Sequence, residues 1–476
     1  MLFNSISFLL FFPIVCLCYF AIPAEWLRAR NGLLLGASFY FYMNWEPAYA
    51  LLLLLCIVIT WGTALGIGRH DAHGRGKLFR KCWLVVGIMV NLSVLFLFKY
   101  YNFITAAIAD MMHSLGMSVS MVRFQLLLPV GISFYTFQAL GYSIDVYRGK
   151  LSAERHFPTY ALYVSFFPQL VAGPIERSTH LLPQFRERHA FNYGQAMEGL
   201  RLMMWGYFMK LVVADRCGLY VDAVFNNMPM HNGGSYLLAS LLFPFQIYGD
   251  FAGYSLIAIG ASRVMGFRLM DNFRRPYFSS SVGEFWHRWH ISLSTWFRDY
   301  VYIPLGGNRV SRCRNYLNLM ATFTLSGLWH GANWTFLLWG MFHGGLLCIE
   351  KRLGIGGHDY RGMSRLLHCL LTFVLVSLGW VLFRAGSVGE ACTVLSGIVI
   401  RFGMPELSFA MFTEVTTALA AIAVLVSSEY AAEHGWALRL TGVGQQVAAH
   451  AVLLLLAVAI LLFGVLDGGQ FIYFQF

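Results

Sequence analysis

The sequence predicts an all-α, polytopic integral membrane protein. Of its 476 residues, 58% are hydrophobic and only 12% are charged, whereas soluble domains carry about 25% charged residues. Apolar runs long enough to cross a hydrocarbon core of about 30 Å recur along the whole length. No polar stretch is long enough to form a separate soluble module. We therefore expect a single membrane domain over residues 1–476, with about eleven transmembrane helices and shorter, Gly- and Pro-broken re-entrant helices.

The net charge of +11 comes from basic residues in short loops between the apolar runs. Three such loops, at 25–31, 69–81 and 147–156, alternate with poorly charged loops. Cytoplasmic loops of membrane proteins carry this excess of Lys and Arg. The charge therefore predicts orientation in a lipid bilayer rather than nucleic-acid binding, and it predicts that both termini lie outside the cytoplasm.

Most polar residues at membrane depth lie in a central block, residues 157–350. Such residues are costly in a bilayer and normally face an interior cavity, so we expect the functional core in this block. One of them is Asp250, an acid within the apolar run "QIYGDFAGYS". We expect Asp250 to pair with a nearby arginine, because a buried charge needs a partner.

His330 lies in "LSGLWHGANW", after the basic stretch "NRVSRCRN". The separation of about fifteen residues corresponds to roughly 22 Å along a helix, which predicts a position deep in the membrane or near its outer face. Gly331 beside it would let another backbone or a ligand approach closely. Desolvation favours the neutral imidazole, which can accept a proton from a hydroxyl, as acyl transfer to an alcohol requires. The alternative is a buried histidine that only hydrogen-bonds between helices.

The segment "EFWHRWHISLSTWFRDY" carries a second group of polar residues. On one helix, Glu284, His287 and His290 would recur at i, i+3 and i+6 and share much of one face. A carboxylate and two imidazoles suit zinc or iron, but this sequence has only one such set, so we expect no metal. The tryptophans and arginines here, including Trp286 and Arg298, favour an interfacial position at headgroup level.

The stretch "YIPLGGNR" predicts a tight turn, because Gly306, Gly307 and Asn308 can adopt left-handed conformations. A phosphate cradle is the alternative. Two glycines and one arginine are weak support for it.

The last six residues, "FIYFQF", contain four aromatic side chains. They can form an interfacial aromatic anchor. They can equally form a segment folded back into the protein, which presents the Tyr473 hydroxyl to the interior. The residues alone leave both interpretations open.

Together these stretches resemble the membrane-bound O-acyltransferase family, in particular its branch of AlgI, PatA and DltB. Members of this branch support acylation of alginate, peptidoglycan and teichoic acid outside the cytoplasmic membrane. The resemblance covers nearly the whole chain, through "LLPVGISFYTFQALGYSIDVYRG", "FFPQLVAGPIER", "FWHRWHISLSTWFRDYVYIPLGGNR", "GLWHGANWTFLLWGMFHG" and "FIYFQF". It implies the family fold, in which the helices surround a central tunnel.

The resemblance also implies roles for particular residues. His330 matches the family's catalytic histidine, where funnels from the two membrane faces meet, and His290 matches the second histidine usually implicated. Tyr473 matches the tyrosine of an FxYxxF pattern, within residues 471–476, that is proposed to take the acyl group. The same motifs supply the residues expected to support the tunnel, namely Trp329, Asn333, Asp250, Trp286, Arg298 and Asn308.

The implied function is O-acetylation of an exported polysaccharide from the bacterial inner membrane. Acetyl-CoA would be the cytoplasmic donor substrate, with no bound cofactor, and only the acetyl unit would cross the membrane. A phenol with a pKa of about 10 is a poor nucleophile until an imidazole takes its proton. A periplasmic SGNH-hydrolase-like partner would then acetylate the polymer, near its synthase complex.

The acceptor polymer stays open among cellulose, alginate and peptidoglycan, with an exopolysaccharide favoured. Leu256 stands where alginate-type members carry an acid, which weakens a strict assignment to alginate. Two alternatives remain. One is a transporter or flippase without acyl-transfer chemistry, and the other is an acyltransferase of the same fold with a lipid acceptor.

Overall fold

The secondary structure is helical throughout the described part of this computed structural model, which confirms the predicted all-α class. The described residues are 1–70, 75–117, 122–124, 129–171, 173–356, 358, 360–436, 442–466 and 471–472. By their internal contacts they form two compact units. The first unit comprises Met1–Leu200 and Ala258–Met270, and the second comprises Arg201–Ile257 and Asp271–Phe476. The single domain over 1–476 stays a prediction.

The first unit contains the helices of the N-terminal part of the chain. They are α1 (Ile6–Ala21), α2 (Leu27–Met43), α3 (Tyr49–Gly68), α4 (Arg75–Leu95), α5 (Tyr101–Ser114), α6 (Ile132–Tyr147), α7 (Phe157–Ser165), α8 (Phe167–Leu170), α9 (Ser178–Leu181) and most of α10 (Tyr193–Tyr207). Tyrosines from α6 and α7 pack against one another in the core of this unit, with Tyr142 and Tyr160 ring centroids 4.5 Å apart. The buried Tyr160 hydroxyl donates to Thr60 Oγ1 at 2.7 Å, so its polar end is satisfied inside the core.

The second unit contains the remaining helices. They are α11 (Asp215–Asn226), most of α12 (Gly233–Val264), α13 (Val282–Arg288), α14 (Ile291–Phe297), α15 (Arg312–His330), α16 (Trp334–Leu353), α17 (Gly362–Arg384), α18 (Val388–Ile400), α19 (Phe409–Glu433) and α20 (Gly442–Phe463). Two π-helical segments, Phe208–Ala214 and Arg298–Tyr302, also belong to it. Every predicted site residue that the structure describes lies in this second unit.

Four helical stretches in the described residues are long and apolar enough to cross a membrane, by length and composition. They are Tyr49–Gly68, Gly76–Ser114, Gly362–Arg384 and Phe409–Glu433. Shorter helices also expose large apolar side chains, such as Leu9, Leu10 and Leu17 on α1, a surface suited to lipid. The total of about eleven spans stays a prediction.

Helices α15 and α16 form a tightly packed hairpin, and His330 is the last residue of its first helix. The helix predicted between the basic stretch and His330 is confirmed. A Cβ atom on Gly327 would lie 2.2 Å from the Phe336 carbonyl oxygen, and one on Gly340 would lie 2.3 Å from the Phe323 carbonyl oxygen. Only glycine permits such backbone contact, so these two positions fix how closely the hairpin closes.

Candidate active site

His330 is buried in an aromatic cage at the end of α15, with 3% of its surface exposed. Its ring centroid lies 5.0 Å from Trp329, 5.0 Å from Trp339 and 5.4 Å from Phe383. All three contacts are edge-to-face. This geometry restricts the orientation of the imidazole and surrounds it with apolar surface.

The turn after His330 is fixed by Gly331 and Asn333. A Cβ atom on Gly331 would lie 2.1 Å from the Phe336 ring. The close neighbour expected at this glycine is therefore the Phe336 side chain, and not a backbone segment or a ligand. Asn333 caps α16 by accepting from the Thr335 amide at 3.2 Å, and its Nδ2 donates to the Gly386 carbonyl at 2.8 Å. Asn333 therefore links the turn between α15 and α16 to the loop between α17 and α18, which contains Gly386.

The predicted continuous helix through His290 is wrong. Helix α13 ends at Arg288, α14 begins at Ile291, and His290 between them has φ 43° and ψ 54°. The three residues Glu284, His287 and His290 consequently do not share one helical face. A non-glycine residue in the left-handed region is uncommon and persists only where its surroundings fix it.

Asn272 provides that fixation. The Ile291 amide donates to the Asn272 carbonyl at 2.9 Å, which replaces a helical hydrogen bond at the break. Asn272 Oδ1 accepts from the Ser292 hydroxyl at 2.9 Å and lies 3.1 Å from His290 Nδ1. Since this oxygen is an acceptor, Nδ1 carries the proton, and Nε2 holds the lone pair of a neutral His290.

The structure brings the two predicted histidines together although forty residues of chain separate them. The ring centroids of His290 and His330 lie 6.4 Å apart. Trp329 contacts both rings, at 5.9 Å from His290 and 5.0 Å from His330. A small group held between two such imidazoles would have a proton acceptor within reach.

An apolar cavity of about 470 Å³ lies between α13, α14, α15 and α16. Trp286 and Arg298, both predicted as tunnel residues, line it. So do Ile291, which follows His290, and Ser326, one turn before His330. The side chain of Arg298 is 57% exposed and pairs with Asp299 at 2.8 Å. Neither His290 nor His330 lines the cavity, which extends from Ile291 and Ser326 to the exposed guanidinium of Arg298.

A second cavity, of about 380 Å³, is basic. Asn308, Arg312, Lys351 and Arg352 line it, together with Asn315. The predicted turn before it is confirmed, with φ 108° at Gly306 and φ 55° at Gly307, whereas Asn308 does not take a positive φ.

The two cavities adjoin at one hydrogen bond. Tyr302 lines the apolar cavity and Asn315 lines the basic one. Asn315 Nδ2 donates to the Tyr302 hydroxyl oxygen at 2.7 Å. A ligand with an anionic end and a long uncharged arm matches the chemistry of the two cavities in turn.

The expectation that Asp250 pairs with an arginine is wrong, because its partner is Lys210, at 2.7 Å. The sequence signal for Lys210 was present, since a lone lysine in the apolar run "WGYFMKLVVAD" requires a buried counter-ion. Asn272 had no such signal, because its role depends on the break at His290. Tyr473 and Phe476 lie outside the described residues.

Comparison with known proteins decides the family. Residues 39–354 match the model of MBOAT, the membrane-bound O-acyltransferase family. The chain belongs to this family. The matched region includes both histidines and both cavities.

Relatives agree with this assignment. The chain is 40% identical to the probable alginate O-acetylase AlgI of Azotobacter vinelandii, over 93% of this chain and 87% of the relative. It is 35% identical to the peptidoglycan O-acetyltransferase of Helicobacter pylori, over 84% and 80%. It is 26% identical to the teichoic acid D-alanyltransferase of Streptococcus thermophilus, over 69% and 86%. This member of the MBOAT family is therefore a multi-pass membrane O-acyltransferase, which favours the enzyme over the transporter alternative.

Proposed function

We propose that this enzyme transfers an acetyl group from cytoplasmic acetyl-CoA to Tyr473, from which a periplasmic SGNH-hydrolase-like partner acetylates an exported polysaccharide. The enzyme would act in the bacterial inner membrane, with both termini in the periplasm and next to the polysaccharide synthase complex. The observation that carries the proposal is the pair of buried imidazoles, His290 and His330, with ring centroids 6.4 Å apart beside an apolar cavity.

His330 is the proposed proton acceptor. It takes the proton of the Tyr473 hydroxyl while the phenolate oxygen attacks the thioester carbonyl carbon. The carbon–sulfur bond then breaks, and the departing thiolate takes the proton back from the imidazolium. The product is an O-acetyl tyrosine, an activated aryl ester that a serine hydroxyl can attack next.

His290 supports this step. Its hydrogen bond to Asn272 leaves the lone pair on Nε2, so the ring can accept a hydrogen bond or the proton itself. Burial strengthens such interactions, because no bulk water competes for the reacting groups. Trp329, which contacts both rings, keeps the two imidazoles in position.

The two adjoining cavities support a donor of the CoA type. The side chains of Arg312, Lys351 and Arg352 supply positive charge for the phosphates at the basic cavity. The apolar cavity of about 470 Å³ suits the uncharged pantetheine arm. Two of its lining residues lie close to the histidines in the chain, Ile291 directly after His290 and Ser326 one helical turn before His330, which supports a thioester end near the two imidazoles.

The relatives support a polymer acceptor outside the cell. Two of them are named for O-acetylation of alginate and peptidoglycan, and the alginate enzyme shares more sequence with this chain. We propose an exopolysaccharide of the alginate or cellulose type as the acceptor. These polymer-acetylating relatives argue against a lipid acceptor for this chain.

Two substitutions test the proposal in cells that secrete the polymer. His330→Gln keeps a polar side chain of similar size but removes the base, and Tyr473→Phe removes only the phenolic hydroxyl. Both should reduce the acetyl content of the secreted polymer to the level of a deletion strain, with the protein still in the membrane. His113→Ala, at an exposed histidine, is the control and should leave acetylation unchanged.

The outcomes separate the parts of the proposal. Full acetylation by the His330→Gln variant would overturn the assignment of the base. Full acetylation by the Tyr473→Phe variant would overturn the relay and favour an aromatic anchor. Purified enzyme incubated with labelled acetyl-CoA should yield an acetylated peptide containing Tyr473, detected by mass spectrometry.

A further inference from the structure

A buried ion cluster in the second unit is not used by the proposed chemistry. Lys210 Nζ lies 2.7 Å from Asp215 Oδ1 and 2.7 Å from Asp250 Oδ1. The side chains of Lys210, Asp215 and Asp250 are 2%, 9% and 3% exposed. Burying charges is costly even when they are paired, so such a cluster in a membrane protein calls for a functional explanation.

The backbone geometry brings Asp250 against Lys210. A Cβ atom on Gly249 would lie 2.7 Å from the Met209 carbonyl oxygen, and one on Gly253 would lie 3.1 Å from the Lys210 amide nitrogen. These glycines on either side of Asp250 let α12 approach the π-helical segment closely. The motif "GDFAG" is therefore a packing surface that carries one acid between its two glycines.

The second oxygen of Asp250 is occupied by the end of the described chain. The Ile472 amide donates to Asp250 Oδ2 at 2.6 Å. Ile472 is 3% exposed and Phe471 is fully buried. Lys210 on one oxygen and a backbone amide on the other satisfy the buried carboxylate from two sides.

Phe471 places this segment close to the histidines. Its ring lies 4.7 Å from Tyr254 and 5.7 Å from Phe251. The Phe251 ring in turn contacts His290 edge-to-face, at 4.6 Å. One aromatic ring therefore separates Phe471 from the candidate active site.

The chain before this segment is held by the same region. The Val465 amide donates to the Leu211 carbonyl at 3.0 Å, and Arg216 Nε donates to the Phe463 carbonyl at 2.7 Å. Leu211 lies in the π-helical segment Phe208–Ala214, where the hydrogen-bond pattern departs from that of an α-helix. Its carbonyl can therefore accept from the Val465 amide, which lies outside that segment. The end of α20 is therefore fixed beside Lys210.

We propose that Lys210 and Asp250 form a dock for Phe471 and Ile472, and that this dock serves acyl transfer to Tyr473, the next residue in the chain. This inference rests on the proposed function for the purpose of the dock, but the docking itself is independent of it. Lys210 holds the Asp250 carboxylate at a fixed place, and the carboxylate holds the Ile472 backbone. Lys210 and Asp250 are positioning residues, since neither needs to touch the donor.

Hydrogen–deuterium exchange of the purified protein tests the dock directly. In Asp250→Ala, the peptide containing Ile472 should exchange at least tenfold faster than in the native protein. Asp250→Asn keeps an oxygen for the Ile472 amide and should restore part of the protection. Asp215→Asn keeps both contacts of Asp250, so the same peptide should stay protected.

Enzyme kinetics supply the functional arm. Asp250→Ala should lower the rate constant for acetylation of Tyr473 at saturating acetyl-CoA at least tenfold. It should leave the acetyl-CoA concentration that gives half the maximal rate unchanged, because the donor cavities are built from other helices. Asp250→Asn should recover part of the lost rate. Asp222→Asn, which removes the acid paired with Arg384 at 2.7 Å, is the control and should change neither value.

The two arms distinguish the possible failures. A terminal peptide that stays protected in Asp250→Ala would overturn the dock, whatever happens to transfer. Fast exchange with undiminished polymer acetylation would leave the docking contact standing and overturn the positioning role, whereas the relay itself is tested by Tyr473→Phe. A Tyr473→Phe variant should keep the peptide protected and lose transfer, since it keeps the docked backbone.

Discussion

Asn272 fixes the protonation pattern of His290. Its Oδ1 accepts the hydrogen bond from Nδ1 at 3.1 Å, and its main-chain carbonyl accepts from the Ile291 amide at 2.9 Å. Asn272 therefore sets the tautomer of His290 and also stabilises the backbone between α13 and α14, which determines the direction of the His290 ring. Tautomer and direction are linked, because both depend on one buried side chain.

Replacement of Asn272 by leucine should therefore impair the chemical step. We expect kcat to fall about five- to twelvefold, since the loss of one such hydrogen bond corresponds to roughly 1–1.5 kcal/mol. Asn272→Asp, which retains an acceptor oxygen, should lose less. Acetyl transfer by purified enzyme is the measurement. A rise in the KM for the donor with unchanged kcat would contradict the role of Asn272 at His290.

Gly331 should tolerate no side chain. A Cβ atom there would lie 2.1 Å from the Phe336 ring, so Gly331→Ala should destabilise the protein by about 1–3 kcal/mol through overpacking. Gly345→Ala on α16 is the matched control, because nothing lies within 4 Å of a Cβ at that position. The measurement is the melting temperature in detergent, and equal melting temperatures for the two variants would refute the steric argument.

The basic cavity should determine donor affinity. Arg312→Gln and Arg352→Gln should each raise the KM for acetyl-CoA and leave kcat unchanged, because each removes a positive charge from the cavity wall. The effect should shrink at high salt, which screens exposed charges. Arg314→Gln, at an exposed residue that does not line the cavity, is the control. Equal effects in all three variants would indicate general electrostatics rather than a phosphate site.

The apolar cavity should be sensitive to filling. Ser326 is buried and lines the cavity next to the turn that carries His330, so Ser326→Leu should obstruct the donor arm and reduce kcat/KM about tenfold or more. Leu325→Phe, at a side chain that is 46% exposed on the same helix, should have little effect. Initial rates over a range of acetyl-CoA concentrations check this. Normal rates in Ser326→Leu would show that the donor binds elsewhere.

Local sequence information predicted several features correctly. Composition predicted the all-α membrane protein, because a bilayer permits few alternatives to helices. The glycines of "PLGGNR" predicted a turn, and the stretch of about fifteen residues after "NRVSRCRN" predicted a helix that reaches His330, as the structure shows. Each of these depends on neighbouring residues and their intrinsic preferences, and the motifs around His290 and His330 correctly indicated the family.

Only the tertiary structure decided which distant groups meet. A helical spacing rule placed His287 and His290 on one face, but α13 ends at Arg288, and contacts with Asn272 stabilise His290 in a left-handed conformation outside both helices. The partner of Asp250 is a lysine forty positions earlier in the chain, brought there by close packing of α12. The sequence by itself determined the class, the family motifs and the local turns. Packing decided which buried polar groups pair, because a buried charge or ring nitrogen needs a hydrogen-bond partner and can find one only among the groups that the fold brings next to it.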